Sequence, residues 1–297
     1  MSVLARLLLP WLVVLLWIAS GAQAVAAPPE GGVVDDRGRP VRLDKPPQRI
    51  VSLLPSLTET VCALGACDRL VAVDDYSNWP ASVRALPHVG GLEDTQVEAI
   101  VALRPDLVLA AGSSRTIGRL ESLGIPVAAL EPRRLDDLRR VIGQLDALLA
   151  TSRGDALWAR IQRELTDASQ RLGPAQNGQR VYFEVGSGPY AASEASFVGE
   201  LLARLGAVNV VAGHLGPFPR LNPEFVVRAD PQVIMHSSHA EPFATRPGWA
   251  GIRAVRDKRI CRFVGADADV LVRPGPRVAQ GVRLMADCLQ QHGRSGG

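Results

Sequence analysis

The chain has 297 residues, with 33 Lys+Arg against 30 Asp+Glu and a net charge of +3. That near-balance argues against a nucleic-acid polymer as main ligand, which calls for a concentrated basic face. A hydrophobic share of 47% with 21% charged residues excludes a disordered chain, and the length allows one large domain or two smaller ones.

Residues 1–24 read as a secretory signal. Arg6 supplies a short positive region, Leu7 to Ile18 an apolar run, and Ala22-Gln23-Ala24 a small-x-small cleavage site before Val25. The run is too short for a membrane span of about 20 residues, and Pro10 interrupts it. No cysteine stands at the cleavage site to take a lipid. The expected mature protein is soluble, periplasmic and monomeric. Export changes the meaning of the cysteines, because disulfides persist in an oxidising compartment. Cys62, Cys67, Cys261 and Cys288 allow three pairings. Joining 62 to 67 and 261 to 288 keeps each bridge inside one half of the chain, and that pairing is expected.

A leader and short hairpin occupy 25–48, with VVDDRGRPVRL turning at Asp36-Arg37-Gly38. An alternation of strands and helices follows in a first lobe over 49–134. Strands are predicted at Arg49–Leu54, Leu70–Val73, Leu107–Ala111 and Val127–Leu130. Helices are predicted from Ser56 to Leu64, with Ser56-x-x-Glu59 as a capping box, and at Val97–Leu103 and Ile117–Leu123. Over 135–173 apolar residues from Leu135 to Leu172 fall mostly at spacings of three, four or seven, the mark of a helical stripe. Unbroken, it would be one linking helix of roughly 55 Å; a break at Ser152-Arg153-Gly154 would make it two end to end. A second alternation fills 179–291. Strands are predicted at Val181–Val185, Val208–Val211, Val233–His236 and Arg259–Val264, and helices at Phe197–Leu205, Pro223–Arg228 and Val278–Leu289. Residues 292–297 are a frayed tail. Strands alternating with helices indicate parallel-type sheets, so the fold class is α/β: two lobes joined by a linking helix, with a ligand cleft between them. Ligands of such sheets bind beyond the C-terminal strand ends. The loops there include Asp74–Trp79, Gly186–Tyr190, Ser237–Phe243 and Gly265–Asp269.

At these loops the chain resembles the helical-backbone periplasmic substrate-binding proteins of ABC importers, which carry iron-siderophores, haem or cobalamin. The resemblance lies in VVDDRGRPVRL, PPQRIVSLLPSLTETVCALGACDRLVAVDDYSNWP, VEAIVALRPDLVLA, LESLGIPV and RPGPRVAQGVRLMADCL, and covers about 33–290. It is strongest toward the cobalamin-binding members. It implies ligand contacts from Tyr76 and Trp79 in DYSNWP, Tyr190 in GSGPYAAS, Phe218 in GPFPRL, and Asp269 and Arg273 before PGPR. Two first-lobe tryptophans of that pattern are replaced by Leu92 and Ala111, and an acidic residue by Val272. Glu98 and Glu224, at the starts of corresponding helices, would dock onto the membrane permease and, through it, engage the ATPase. The implied function is capture of a corrinoid, with haem or a ferric siderophore as the alternative cargo.

Other chemistries fit less well. Gly186-Ser187-Gly188 lacks the nucleophile-elbow pattern, and Gly90-Gly91 opens no phosphate loop. No enzyme activity and no resident cofactor are expected, although a periplasmic enzyme or metallochaperone is the different-class alternative. His236-x-x-His239 invites a metal reading, with His239 the weak candidate for an axial ligand; a zinc site would need three or four converging ligands. Trp158 and Trp249 are expected to pack.

Overall fold

The computed structural model describes residues 32–170, 172, 177–186, 190–237 and 243–293. The signal segment, His239, Ser187 and the last four residues lie outside the described residues. A hairpin of β1 (Gly32–Val34) and β2 (Pro40–Arg42) leads in, turning at Gly38, whose φ of +75° suits a residue without Cβ. The first lobe then runs β3 (Ile50–Ser52), α1 (Pro55–Ala63), β4 (Leu70–Val73), α2 (Val97–Ala102), β5 (Leu107–Ala110), α3 (Ile117–Ser122) and β6 (Val127–Ala129). Its four strands are all parallel, in the order β4-β3-β5-β6.

The linking stretch is two helices, α4 (Leu135–Leu149) and α5 (Gly154–Ser169). Ala150 and Ser152 take left-handed backbone, with φ of 51° and 55°, and end α4. The Asp146 carboxylate turns back to accept from the Thr151 hydroxyl and, at 2.9 Å, from the Arg153 N–H. A Cβ at Gly154 would stand only 2.9 Å from the Asp146 side chain. The bend therefore rests on one aspartate and one glycine, and the single long helix is replaced by a pair.

The second lobe holds β7 (Arg180–Val185), β8 (Tyr190–Ala191), α6 (Phe197–Arg204), β9 (Val208–Asn209), α7 (Pro223–Ala229), β10 (Val233–His236), α8 (Arg253–Arg256), β11 (Ile260–Arg262), α9 (Ala266–Val272) and α10 (Val278–Gly293). Parallel pairing joins β11, β10 and β7, with β9 parallel to β7 at its start and β8 antiparallel at its end. Two sequence expectations change here. Gly265–Asp269 is the opening of α9 and not a loop. The Ser56–Glu59 capping box does not form: Pro55 occupies the first helical position, no side chain caps α1, and Glu59 points elsewhere.

Strand periodicity explains how the lobes are joined. Ile50, Leu107, Leu109, Val181, Phe183, Val233 and Met235 belong to one buried cluster, which also takes the apolar stripes of α4, α5 and α10. Their in-between neighbours face two separate cores: Val51, Val108 and Ala110 in the first lobe, Tyr182 and Ile234 in the second. Alternate side chains point to opposite sheet faces, so each sheet shares one face and keeps the other private. Among the described residues no helix is long and apolar enough to cross a membrane.

Both expected disulfides form. Cys62–Cys67 closes a loop of 5 residues and Cys261–Cys288 one of 27, the latter tying α10 to β11. Loop-closure entropy assigns about 2 kcal/mol to the short bridge and about 3.5 kcal/mol to the long one. Denaturant unfolding of the paired Cys→Ala variants is expected to show that order; equal losses would mean that strand and helix stay docked without the bridge.

Candidate ligand cleft between the lobes

A cavity of about 530 Å³ opens between the lobes. The first lobe contributes Leu54, Pro55 and Ser56 at the start of α1, and Glu131 to Arg134 between β6 and α4. The second contributes Ala195 to Val198 at the start of α6, Pro217 and Phe218, and Val272 to Pro274. The walls are mostly apolar, with Arg133, Arg134, Arg273 and Glu131 as the charged members. An apolar pocket with a few polar groups is the usual form of a small-molecule site.

The cavity collects two of the sequence-singled residues, Phe218 and Arg273. Phe218 sits on a segment held by backbone bonds to the β8 region: Ala191 donates to the Pro219 carbonyl at 3.1 Å and Ser193 to that of Pro217 at 3.0 Å. Tyr190 is bridged to Arg220 of the same segment. Tyr190 and Tyr76 are 47% and 64% exposed and stand outside the lining. Tyr76 lies over Gly91, where a Cβ would come within 3.0 Å of the ring. Trp79 faces a second groove with Arg160 and Arg283, and the Arg277 guanidinium stacks 4.7 Å from its ring centre.

Asp269 and Arg273 belong to a polar network between the lobes, which the sequence did not reveal. At its centre is Glu59 of α1, with a side chain only 3% exposed. Arg277 donates to its two oxygens at 2.9 and 2.5 Å, and Arg273 reaches it at 3.4 Å. The Arg273 guanidinium also donates to Asn78 Oδ1 at 2.8 Å and to the Tyr76 carbonyl at 3.0 Å, and pairs with Asp269 at 2.8 Å. Asn78 Nδ2 donates to Asp269 at 2.8 Å. The second-lobe turn lies against α1 at Gly275, where a Cβ would make ordinary contact, 3.5 Å from Glu59 and 3.8 Å from Ser56. Beneath this layer Thr58 bonds Ser52 and Ser77, each at 2.8 Å. The Thr58 hydroxyl is thus spent inside the first lobe, bracing the loop that carries Asn78, and that of Thr60 donates to the Ser56 carbonyl of its own helix at 2.7 Å.

Asp74 ends β4 beside this cluster. Burial pushes its carboxyl above the usual carboxylate range, against hydrogen bonds from Ser77 and the attraction of Arg273. Another buried carboxylate, Glu184 of β7, is held by Arg246 at 2.7 and 2.8 Å, and that guanidinium stacks over Phe243 and Trp249. Trp249 is buried as expected. His236 is buried edge-on to Phe243 at 4.9 Å, and no group of three His, Cys, Asp or Glu that could hold a metal occurs among the described residues. Glu98 and Glu224 are exposed in the first turns of α2 and α7, where Asn222 caps α7 by accepting from the Glu224 N–H at 3.0 Å.

A carboxyl raised in the folded state costs stability when ionised and costs nothing once protonated. Asp74→Asn is therefore expected to melt higher than the parent at about pH 7, with the gain shrinking as pH falls through the carboxylate range. A gain that grows toward about pH 4 would reverse the assignment.

Comparison with known proteins follows the same geometry. The periplasmic binding protein family matches residues 50–263. An uncharacterized ABC transporter substrate-binding lipoprotein, YvrC, of Bacillus subtilis is 29% identical over 268 residues, covering 86% of this chain and 84% of its own. The periplasmic vitamin B12 binding protein BtuF of Vibrio cholerae superposes with a TM-score of 0.70 at 27% identity, over 84% of this chain and 99% of that one. A periplasmic haem binding protein from Pseudomonas aeruginosa gives 0.72 at 27%, over 84% and 94%. The chain, two α/β lobes over one shared core with a cleft at their seam, belongs to the periplasmic binding protein family, whose members bind substrates for transport.

Proposed function

We propose that this chain is the exported solute-capturing component of an ABC importer, that its cargo is a corrinoid, and that it hands the cargo to a membrane permease driven by an ATPase. A cleavable segment at 1–24 would export it. The observation that carries the reading is the interlobe cavity, whose Pro55, Phe197, Val198, Pro217 and Phe218 surfaces suit a large apolar face. Likeness to a vitamin B12 binding protein along 99% of that chain supports the cargo. Tyr76 and Tyr190 would cover the cargo's edge outside the cavity, Trp79 would back the loop that carries Tyr76, and Asp269 and Arg273 would orient polar groups.

Haem is the second reading. A haem binding protein is equally similar at 27%, and the exposed phenols of Tyr76 and Tyr190 are of the type that ligates haem iron.

Calorimetric titration with cyanocobalamin and with haemin separates the two. Cyanocobalamin is expected to bind more tightly than haemin; tighter binding of haemin, with a tyrosinate-type absorption change lost in Tyr76→Phe or Tyr190→Phe, would replace the corrinoid. Phe218→Ala is expected to weaken binding by about tenfold, near 1.4 kcal/mol. Unchanged affinity would remove Phe218 from the site.

The exposed glutamates Glu98 and Glu224 are the proposed permease contacts, one per lobe. Reversing both to lysine is expected to abolish cargo uptake by cells while leaving the affinity of the purified protein intact. Lost affinity would place them in the cleft's function instead.

A further inference from the structure

Two carboxylates stand behind the cavity walls, and neither lines the cavity itself. Glu59 lies one turn deeper along α1, the helix whose start at Pro55 and Ser56 forms part of the first-lobe wall. It grips Arg273, a wall residue of the second lobe, together with Arg277. Glu200 lies at the corresponding depth along α6, whose start at Phe197 and Val198 forms part of the second-lobe wall. It pairs with Arg134, a wall residue across the cleft, at 2.5 Å and accepts from the Leu135 N–H at 2.9 Å. Each clamp thus ties one wall of the cavity to the wall opposite.

The clamps differ in strength. The Glu59 side chain is 3% exposed and its two arginines 11% and 10%. Separating them would leave a buried charge unpaired, which is the expensive way to break an ion pair. Arg134 is 56% exposed and Glu200 17%. Solvent and salt screen that pair, so it is the cheaper one to open. Widening the cavity therefore begins at Glu200–Arg134, while Glu59 holds the other side.

We propose that Glu59 and Glu200 are specificity-determining positioning residues, which set the width of the cavity and hence the thickness of cargo it accepts. The proposal rests on reading the cavity as the cargo site, and not on the cargo being a corrinoid. They act through Arg273 and Arg134 and do not touch the cargo.

The test uses Glu200→Ala and Glu59→Gln with two readouts. The first is the distance between spin labels on cysteines replacing Glu98 and Glu224, one exposed position on each lobe; the four native cysteines are already bridged. The second is the ratio of dissociation constants for cyanocobalamin, with groups above and below its ring, and haemin, which is flat. Glu200→Ala is expected to lengthen and broaden the distance distribution. It should also shift the ratio toward the thicker compound by about fivefold or more. High salt should reproduce part of this in the parent and none in Glu200→Ala. Glu59→Gln should act in the same direction, and if it does not fold, Glu200→Ala decides alone. A merely structural role would lower the melting temperature and weaken both compounds alike. Unchanged distances in folded Glu200→Ala, or an unchanged ratio, would overturn the proposal. If neither compound binds, the cargo reading falls, and the distances still decide the role of the clamps.

Discussion

A carboxylate taken out of water is tolerated only where cations and hydrogen bonds replace its solvent. Glu59 is such a group, and both lobes are arranged around it. α1 carries it from the first lobe, and the turn between α9 and α10 brings Arg273 and Arg277 from the second. Arg273 then reaches on to Asn78 and the Tyr76 carbonyl, so the loop after β4 is held by the same guanidinium. Arg277 lies over Trp79. One buried charge thereby fixes a cavity wall, orders a loop and closes the seam. Its partners come from a different lobe, and the interaction exists only when the lobes are docked.

The apolar side of the structure points the same way. Had each lobe kept a closed core of its own, the cleft could open widely about the linking helices. Instead the odd-numbered residues of β5, β7 and β10 share one buried cluster with α4, α5 and α10. Opening by more than a small angle would expose that shared core to water, at roughly 25 cal/mol per Å² of apolar surface. The cleft is a seam in the roof of one core, and the helices on either side of the bend at Ala150–Gly154 are packed into it through Leu148, Leu149 and Leu157. Small shear-like adjustments at the seam are the motions this packing allows.

Much of the fold was legible because it is written in local periodicity. Strands buried on both faces read as short apolar runs, and the stripes of α4 and α5 read at helical spacing. The disulfides were legible because their partners fall within the same half. The break between α4 and α5 was signalled by Ser152-Arg153-Gly154, but the deciding event is Asp146 turning back onto the next helix, which spacing alone does not encode. α9 was missed because ADADVLV is short and rich in aspartate. Glu59 shows the limit most plainly. Three residues after Ser56 it fits a capping box, yet its partners lie 214 and 218 residues away. The residue types of the proposed site could be read from the chain, but which of them share a surface could not, because that is decided by the docking of the lobes.

Aromatic residues make up only 5% of the chain, and their placement acquires a meaning from this geometry. Tyr182, Phe183, Phe197, Phe243, Trp249 and Phe263 are buried, all in the second lobe, and Trp158 and Phe225 are half-buried, while Tyr76, Trp79, Tyr190 and Phe218 are exposed. Tyr76, Tyr190 and Phe218 keep about half or more of their surface in water, and of the four rings Trp79 is the one described as stacked by a cation, Arg277. On the proposed reading Phe218 belongs to the cavity itself, and Tyr76 and Tyr190 form a rim that a small ligand would never reach. A cargo that fits wholly inside the cavity leaves both tyrosines without a role. On that reading a ring larger than the cavity would extend beyond its walls and give the exposed phenols something to cover. The proposed division of the site into an ion-clamped cavity and an aromatic rim is thus an argument for a broad, ring-shaped cargo over a compact one.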